Sequence, residues 1–347
     1  MNSYLNMNGY EKMIAGFTFQ CKHYRDTGFF KNFEDMSQPI SRRTVLQLLG
    51  TSVAAVLSRV ATPAPAVPKA SQAFTYCLNM ATIRGHKLGL VNELETASRA
   101  GFQVVEIWMD SLQAYLKGGS LNNLKKQIYD AGIQVENCIG FAEWIVDDDT
   151  RRRKGIEQMK QEMELLAQIG CKRLAAPPVG ATETPGLNLN KAAERYRTIL
   201  ELGDATGVVP QLEMWGFSKN LSRASEVLYV AMESAHPSAK VLLDTFHLYK
   251  GGTPLDTLSL VNPSAVDILH VNDYPARLAP AAITDADRLY PGDGAAPLKR
   301  ILQTLRKPGS PLIISTEVFN KDYYKQEALT VARTALEKMK AVTSDVL

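Results

Sequence analysis

The sequence predicts an α/β protein, a single-domain (β/α)8 barrel of the TIM type, set behind an N-terminal leader. Three observations predict it. Short apolar, β-branched runs alternate with longer amphipathic ones eight times from Phe74 onward, and strand–helix repetition of this kind means parallel strands. Residues 74–347 number 274, close to the roughly 250 that such a barrel takes. The glycine-rich turn of a doubly wound dinucleotide fold is missing, because Met80-Ala81-Thr82-Ile83 follows the first strand run.

The expected strands are 74–80, 103–109, 133–139, 172–176, 208–214, 241–245, 266–272 and 312–318. Helical segments fall between them, at 90–100, 121–131, 151–169, 191–206, 223–235, 298–305 and 325–342. The third shows its period plainly. Ile156, Met159, Met163, Leu166 and Ile169 recur at three- and four-residue steps, which puts them on one face of a helix. Gly101, Gly132, Gly170 and Gly207 each stand where a helix has to end before the next strand. A hydrophobic content of 45% with 22% charged residues excludes a mostly disordered chain.

Residues 1–73 read as a leader outside the barrel. Ser41-Arg42-Arg43-Thr44-Val45-Leu46-Gln47 is a twin-arginine pattern, followed by an apolar run over 45–57 and a Pro/Ala-rich stretch over 61–70. That order describes an export signal. The run is too short to span a bilayer, which takes roughly 20 residues. Cleavage after Ala66 or Ala73 is expected, and Met36 offers an alternative start. The mature chain is therefore expected in the periplasm; a cytoplasmic enzyme is the alternative if the arginine pair is coincidental. Lys+Arg number 39 against 36 Asp+Glu, and residues 1–66 hold 7 of the former and 4 of the latter. The leader thus carries the whole surplus, and the neutral remainder gives no footprint for nucleic acid. Cys77, Cys138 and Cys171 remain after the leader's Cys21, an odd set without a CxxC, so they read as small buried hydrophobes.

The last four strands each end on a metal-competent side chain. They read Leu212-Glu213-Met214-Trp215, Leu243-Asp244-Thr245-Phe246-His247, Leu269-His270-Val271-Asn272-Asp273 and Ser315-Thr316-Glu317-Val318. Barrel chemistry sits at the C-terminal ends of the strands. An acid there is expensive to bury unless it is paired or holds a cation. Singly, Glu213 or Asp244 could pair with an arginine or cap a helix, and His270 could be a core histidine. Together, Glu213, Asp244, His270 and Glu317 point to one shared divalent ion. Three carboxylates and an imidazole suit Mn²⁺ or Mg²⁺, with Co²⁺ or Zn²⁺ as further candidates.

These strand ends resemble the xylose-isomerase-like TIM-barrel superfamily of sugar (and sugar phosphate) isomerases and epimerases, and within it 2-keto-myo-inositol (inosose) isomerase. The opening Cys77-Leu78-Asn79-Met80-Ala81-Thr82, the loop from Ile283 to Gly294 and the ending Glu317-Val318-Phe319-Asn320 carry the likeness further. The resemblance implies that Glu213, Asp244, His270 and Glu317 ligate the metal. It also implies that Glu213 and Glu317 are the acid–base pair, that His247 contacts substrate oxygens, and that Arg288 lies in the loop closing the site. A homodimer or tetramer follows from the same likeness. The inosose isomerases are cytosolic, whereas this chain carries an export pattern, so its substrate need not be an inositol derivative.

The expected reaction is isomerisation or epimerisation of a sugar or cyclitol α-hydroxyketone through an enediolate, two carboxylates being needed because the proton leaves and returns at different positions. A dehydratase or a lyase acting on 3-keto-glycosides would begin with the same proton abstraction. A non-catalytic, metal-dependent sugar-binding protein is a reading of another class, and two opposed bases speak against it. A DNA-repair endonuclease on this fold would need more strand-end histidines than a chain with five in all can supply. Trp108, Trp144, Trp215, Phe246 and Tyr290 are candidates to stack on a sugar ring, with Trp144 and Trp215 foremost. Glu106 alternates with Val104 and Trp108 and is expected to point into the barrel, as a substrate contact or a buried counter-charge.

Overall fold

The computed structural model describes residues 73–306, 309–344 and 346. The twin-arginine pattern, the Pro/Ala stretch and Cys21 lie outside the described residues. Eight parallel strands close into a barrel in sequence order, with the last paired to the first. They are β1 (Phe74–Asn79), β2 (Val104–Trp108), β3 (Gln134–Ile139), β4 (Arg173–Ala176), β5 (Val209–Glu213), β6 (Val241–Asp244), β7 (Ile268–His270) and β8 (Leu312–Thr316). Every expected strand forms, shortened by one to four residues. The helices packed outside are α1 (Leu90–Ala100), α2 (Leu121–Asp130), α3 (Asp149–Gln168), α4 (Leu189–Thr206), α5 (Ala224–Glu233), α6 (Thr245–Lys250), α7 (Leu298–Leu305) and α8 (Ala328–Thr343).

Local chemistry sets the helix ends. The Asp148 side chain accepts from the Arg151 amide and starts α3, and Asn188 does the same for Lys191 at α4. Each cap satisfies an amide that has no partner inside the helix, a contribution of about 1 kcal/mol. Gly101 and Gly207 close α1 and α4 in the left-handed region, at φ 101° and 75°, where a Cβ is strained. Between β6 and β7 the long helix is replaced by the short α6 and two 3-10 turns. Two helical pieces absent from the sequence expectation, Ala81–Arg84 and Met109–Leu116, follow β1 and β2 directly. They add backbone at the mouth of the barrel.

The two-residue period of a strand separates two cores. Outward positions such as Leu78, Val105, Leu174, Leu212, Leu243 and Ile314 pack under the helices in one continuous apolar layer. Inward positions form a smaller cluster: Cys77, Ile139, Ala175, Leu242, Ile268 and Ile313. Other inward positions are polar, several of them two residues past the apolar ones, as Asn79 is to Cys77, Asp244 to Leu242, His270 to Ile268 and Ser315 to Ile313. Asn79, Glu106, Asn137, Glu213, Asp244, His270 and Ser315 are all buried there. At the opposite end Arg173 reaches Glu136 and Asp267 at 3.0 and 3.2 Å. The three described cysteines are buried and free, as expected.

Glu93, in the first turn of α1, is a buried carboxylate away from that mouth cluster. It is 4% exposed, and burial pushes its pKa up to about 7 against the opposing pull of Arg84. In the unfolded chain it titrates near its ordinary 4.5. As pH rises between these values the unfolded state loses its proton first, so the fold loses stability and stays lower above pH 7. Glu93→Gln should therefore raise the melting temperature at pH 8 by several degrees and change it little at pH 5. The same increment at both pH values would contradict the assignment.

Candidate active site

Parallel strands deliver their final residues to one face, where three of the four expected residues, Asp244, His270 and Glu317, form one close group and Glu213 lines the cavity beside them. Glu213 ends β5, Asp244 ends β6, His270 ends β7 and Glu317 stands one residue beyond β8. All four are buried. Asp244, His270 and Glu317 each offer an atom to a group within 4.8 Å of one another. Asp244 has two duties. Its Oδ1 accepts from the His247 amide at 3.0 Å and caps α6, while Oδ2 faces the cluster and accepts from Asn272 Nδ2 at 3.1 Å. An aspartate at a strand-to-helix junction is suited to that double role.

Glu106 points into the barrel, as its alternation required. It does not reach the substrate cavity; its carboxylate is held beneath His270, with Oε2 3.0 Å from Nε2. Asn137 Nδ2 donates to it at 2.8 Å and Asn79 Nδ2 at 3.1 Å, and Ser315 Oγ donates as well. The substrate-contact reading is thus replaced by the counter-charge one. Burial alone would raise the Glu106 pKa, but His270 and these donors bring it below the ordinary value. A carboxylate on one imidazole nitrogen orients the ring and makes the other nitrogen a better ligand. That other nitrogen, His270 Nδ1, faces Glu317 Oε2 at 3.2 Å and Asp244 Oδ2 at 3.7 Å.

Arg288, expected in the closing loop, has its guanidinium inside the cluster. Nη1 donates to Asp244 Oδ2 at 2.6 Å and lies 3.1 Å from Glu317 Oε2. Nε and Nη2 donate to Asp285 Oδ1 at 3.0 and 2.7 Å. Nη2 is also 3.2 Å from His247 Nε2. Phe246 and Phe319 lie against the guanidinium, 4.5 and 5.2 Å from its carbon. Burial would raise the Asp244 pKa, yet Arg288 and the neighbouring histidines hold it well below the carboxylate range. Burial lowers His247 to about 4 and raises Glu213 to about 8, with Glu317 and Asp244 adding to the latter shift and His270 opposing it.

The residues fit a divalent cation. Glu106, Glu213, Asp244 and Glu317 share the site with Arg288, His270 and His247; burial keeps His247 neutral and holds the proton on Glu213 up to about pH 8, a proton that a bound cation would displace. Glu213 Oε2 and His270 Nδ1 are buried without a hydrogen-bond partner among the described residues. A carboxylate oxygen is a hard donor that suits Mn²⁺ or Mg²⁺, and an imidazole nitrogen is a borderline donor that suits Zn²⁺ and is also accepted by Mn²⁺.

Above the cluster opens a cavity of 260 Å³. Glu213, Glu317, His247 and Arg288 reach it, and Trp108, Phe141, Trp215, Phe217 and Phe319 wall it. Trp215 and Trp108 therefore stand where expected. Trp144 does not: it is fully buried, donates from Nε1 to the Pro177 carbonyl at 3.0 Å and packs on Tyr196. Its loop turns back into the core. Phe246 lies under Arg288, and Tyr290 stacks on Tyr323 at 4.0 Å, away from the cavity wall. Phe141, Phe217, Phe319 and Asp285 escaped the sequence reading. The three phenylalanines stand two to four residues beyond the last residues of β3, β5 and β8, and that proximity to a strand end was the available signal.

A parallel barrel with an acid–imidazole cluster and a cavity at the C-terminal ends of its strands has the layout of a barrel enzyme. The sequence model of the Xylose isomerase-like TIM barrel family matches residues 94–342. The chain belongs to that family. An inosose isomerase of Bacillus licheniformis is 28% identical over 276 residues, which cover 77% of this chain and 97% of the relative. Among solved structures, the IolI protein with a bound zinc atom superposes with a TM-score of 0.72 at 24% identity, over 79% of this chain and 99% of the other. An L-ribulose 3-epimerase superposes at 0.61 with 17% identity, over 79% of this chain and 95% of the other. Among the described residues no helix is long and apolar enough to cross a membrane.

The Glu106–His270 pair yields a prediction that separates orientation from charge. Glu106→Gln keeps the shape but weakens the hold on Nε2, so Mn²⁺ affinity measured by calorimetry should fall about 10–100-fold. An unchanged affinity in a folded variant would show that the pair has no part in orienting His270.

Proposed function

We propose that this protein is a divalent-metal-dependent isomerase or epimerase acting on an α-hydroxyketone of a sugar or cyclitol. The observation that carries the proposal is the pair Glu213 and Glu317, two carboxylates reaching one small cavity beside an acid–imidazole cluster. The inosose isomerase relatives support it. Glu213, Asp244, His270 and Glu317 would hold the ion, with Mn²⁺ the best match to a set of three carboxylates and one imidazole. When bound, that ion supplies Lewis-acid polarisation of the substrate carbonyl. A leader with the Arg42-Arg43 pair points to work in the periplasm.

The chain's own groups then divide the proton traffic. One of the two glutamates removes the proton on the carbon beside the carbonyl. The other returns a proton at the neighbouring carbon, giving isomerisation, or on the opposite face, giving epimerisation. Acid–base help of this kind is worth about 10²–10⁴-fold. Arg288 and His247, at the cavity floor, stabilise the negative charge that develops on the substrate oxygens. The aromatic walls keep bulk water from the deprotonated carbon.

Proton exchange tests this directly. The Mn²⁺-loaded full chain, incubated in D₂O with an inosose or a ketohexose, should exchange the hydrogen α to the carbonyl, followed by NMR. Glu213→Gln or Glu317→Gln should cut the exchange rate at least about 100-fold with the circular-dichroism spectrum intact. EDTA should abolish exchange and Mn²⁺ restore it. Near wild-type exchange in either glutamine variant would sink the acid–base assignment, and no exchange by the wild type with any such ketone would favour a binding protein.

A further inference from the structure

The aromatic wall continues past the cavity to its outer edge. Trp108 lies 6.0 Å from Phe319 and 5.3 Å from Phe141, Phe141 lies 6.3 Å from Trp215, and Trp215 stacks on Phe217 at 5.2 Å. The five rings thus form an unbroken chain. Phe141 and Phe217 remain 38% and 43% exposed, and as part of one continuous apolar surface at a cavity rim they are placed to meet a ligand. A cavity of 260 Å³ lies below the usual range of about 300–1,000 Å³ for ligand pockets. It suits one ring, and the exposed phenyl groups extend the surface beyond that ring.

Charge narrows what this extension receives. Among the described residues lining the cavity, Arg288 is the one arginine or lysine, and Asp244, Asp285 and Glu317 already engage it; Arg84, 4.3 Å over the Trp108 ring, is paired with Asp110. The remaining ionisable lining groups are three acids and His247. Among the described residues lining the cavity, a phosphate or carboxylate held away from the proposed ion would meet a surplus of acids and an arginine already engaged, which is unfavourable for an anion.

We propose that the substrate is an uncharged keto-sugar or keto-cyclitol carrying a second, apolar ring, with the reacting ring in the cavity and the substituent stacked on Phe141 and Phe217. The identity of the reacting ring rests on the isomerase reading above; the stacking surface rests on the aromatic chain alone. Glycosides with an aryl aglycone have this chemistry. Phe141 and Phe217 are then specificity-determining residues, acting on affinity for the substituent.

Binding by non-reacting probes tests it without turnover. With the Mn²⁺-loaded full chain, phenyl β-glucoside should bind about 2–12-fold more tightly than methyl β-glucoside, the span that aromatic stacking confers, and glucose 6-phosphate should bind no better than the methyl glucoside. Affinities are read by tryptophan fluorescence and by saturation-transfer NMR. Phe217→Ala and Phe141→Ala should each reduce the phenyl-over-methyl preference towards one. Tyr129→Ala, which removes an 83%-exposed ring on the outer helix α2, should leave it in place. Equal affinity for the two glucosides, no binding of the phenyl glucoside, tighter binding of the phosphate, or a preference that survives both phenylalanine substitutions would each overturn the proposal. Proton exchange on an unsubstituted ketone without a phenyl preference would remove this inference alone. A phenyl preference without exchange would remove the isomerase reading alone.

Discussion

Four carboxylates, Glu106, Glu213, Asp244 and Glu317, lie buried within one mouth of the barrel, and their mutual repulsion has to be offset wherever they are out of water. Much of the neighbouring structure answers to that constraint. His270 stands between Glu106 on one ring nitrogen and the Asp244–Glu317 pair on the other. Arg288 reaches in from the loop before α7 and is itself balanced by Asp285. Asn79, Asn137 and Asn272 spend their amide donors on the same carboxylates. Glu213 is the member with a partnerless oxygen among the described residues, and burial accordingly pushes its pKa up.

A barrel permits this concentration because strand parity separates the two needs. One set of inward positions is filled by Cys77, Ile139, Ala175, Leu242, Ile268 and Ile313, a dry plug. The next inward step carries Asn79 on β1, Asp244 on β6, His270 on β7 and Ser315 on β8, while Glu106 and Glu213 come in from β2 and β5. Stability and chemistry thus occupy adjacent layers. Glu213 and Glu317 reach the aromatic-walled cavity, where low polarity strengthens charge interactions at the floor.

The fold was legible because its signals are local. Apolar runs, helical periods and closing glycines each span a few residues, and all eight strands formed where expected. The cluster was legible for a related reason: Glu213, Asp244, His270 and Glu317 each interrupt or end an apolar run, and parallel topology carries four such ends to one place. Glu106 was only half legible. Its inward direction followed from alternation, but its partner His270 is 164 residues away, and no local pattern names it. Trp144 was misread for a similar reason. A tryptophan in a loop after a strand looks exposed until the loop is seen to fold back onto Pro177 and Tyr196. Phe141, Phe217 and Phe319 were missed because an isolated loop phenylalanine has no periodicity to mark which way it faces.

The central claim is that this buried negative charge is a site for one divalent ion. The most direct measurement is a crystal structure of the protein grown with Mn²⁺, with the metal located by anomalous scattering. The account predicts one ion per chain, bound by Glu213, Asp244, His270 Nδ1 and Glu317, with Glu106 still on Nε2. A barrel that takes up no Mn²⁺ there at millimolar concentration, or that binds it elsewhere while Asp244 and Glu317 stay paired only with Arg288, would contradict it.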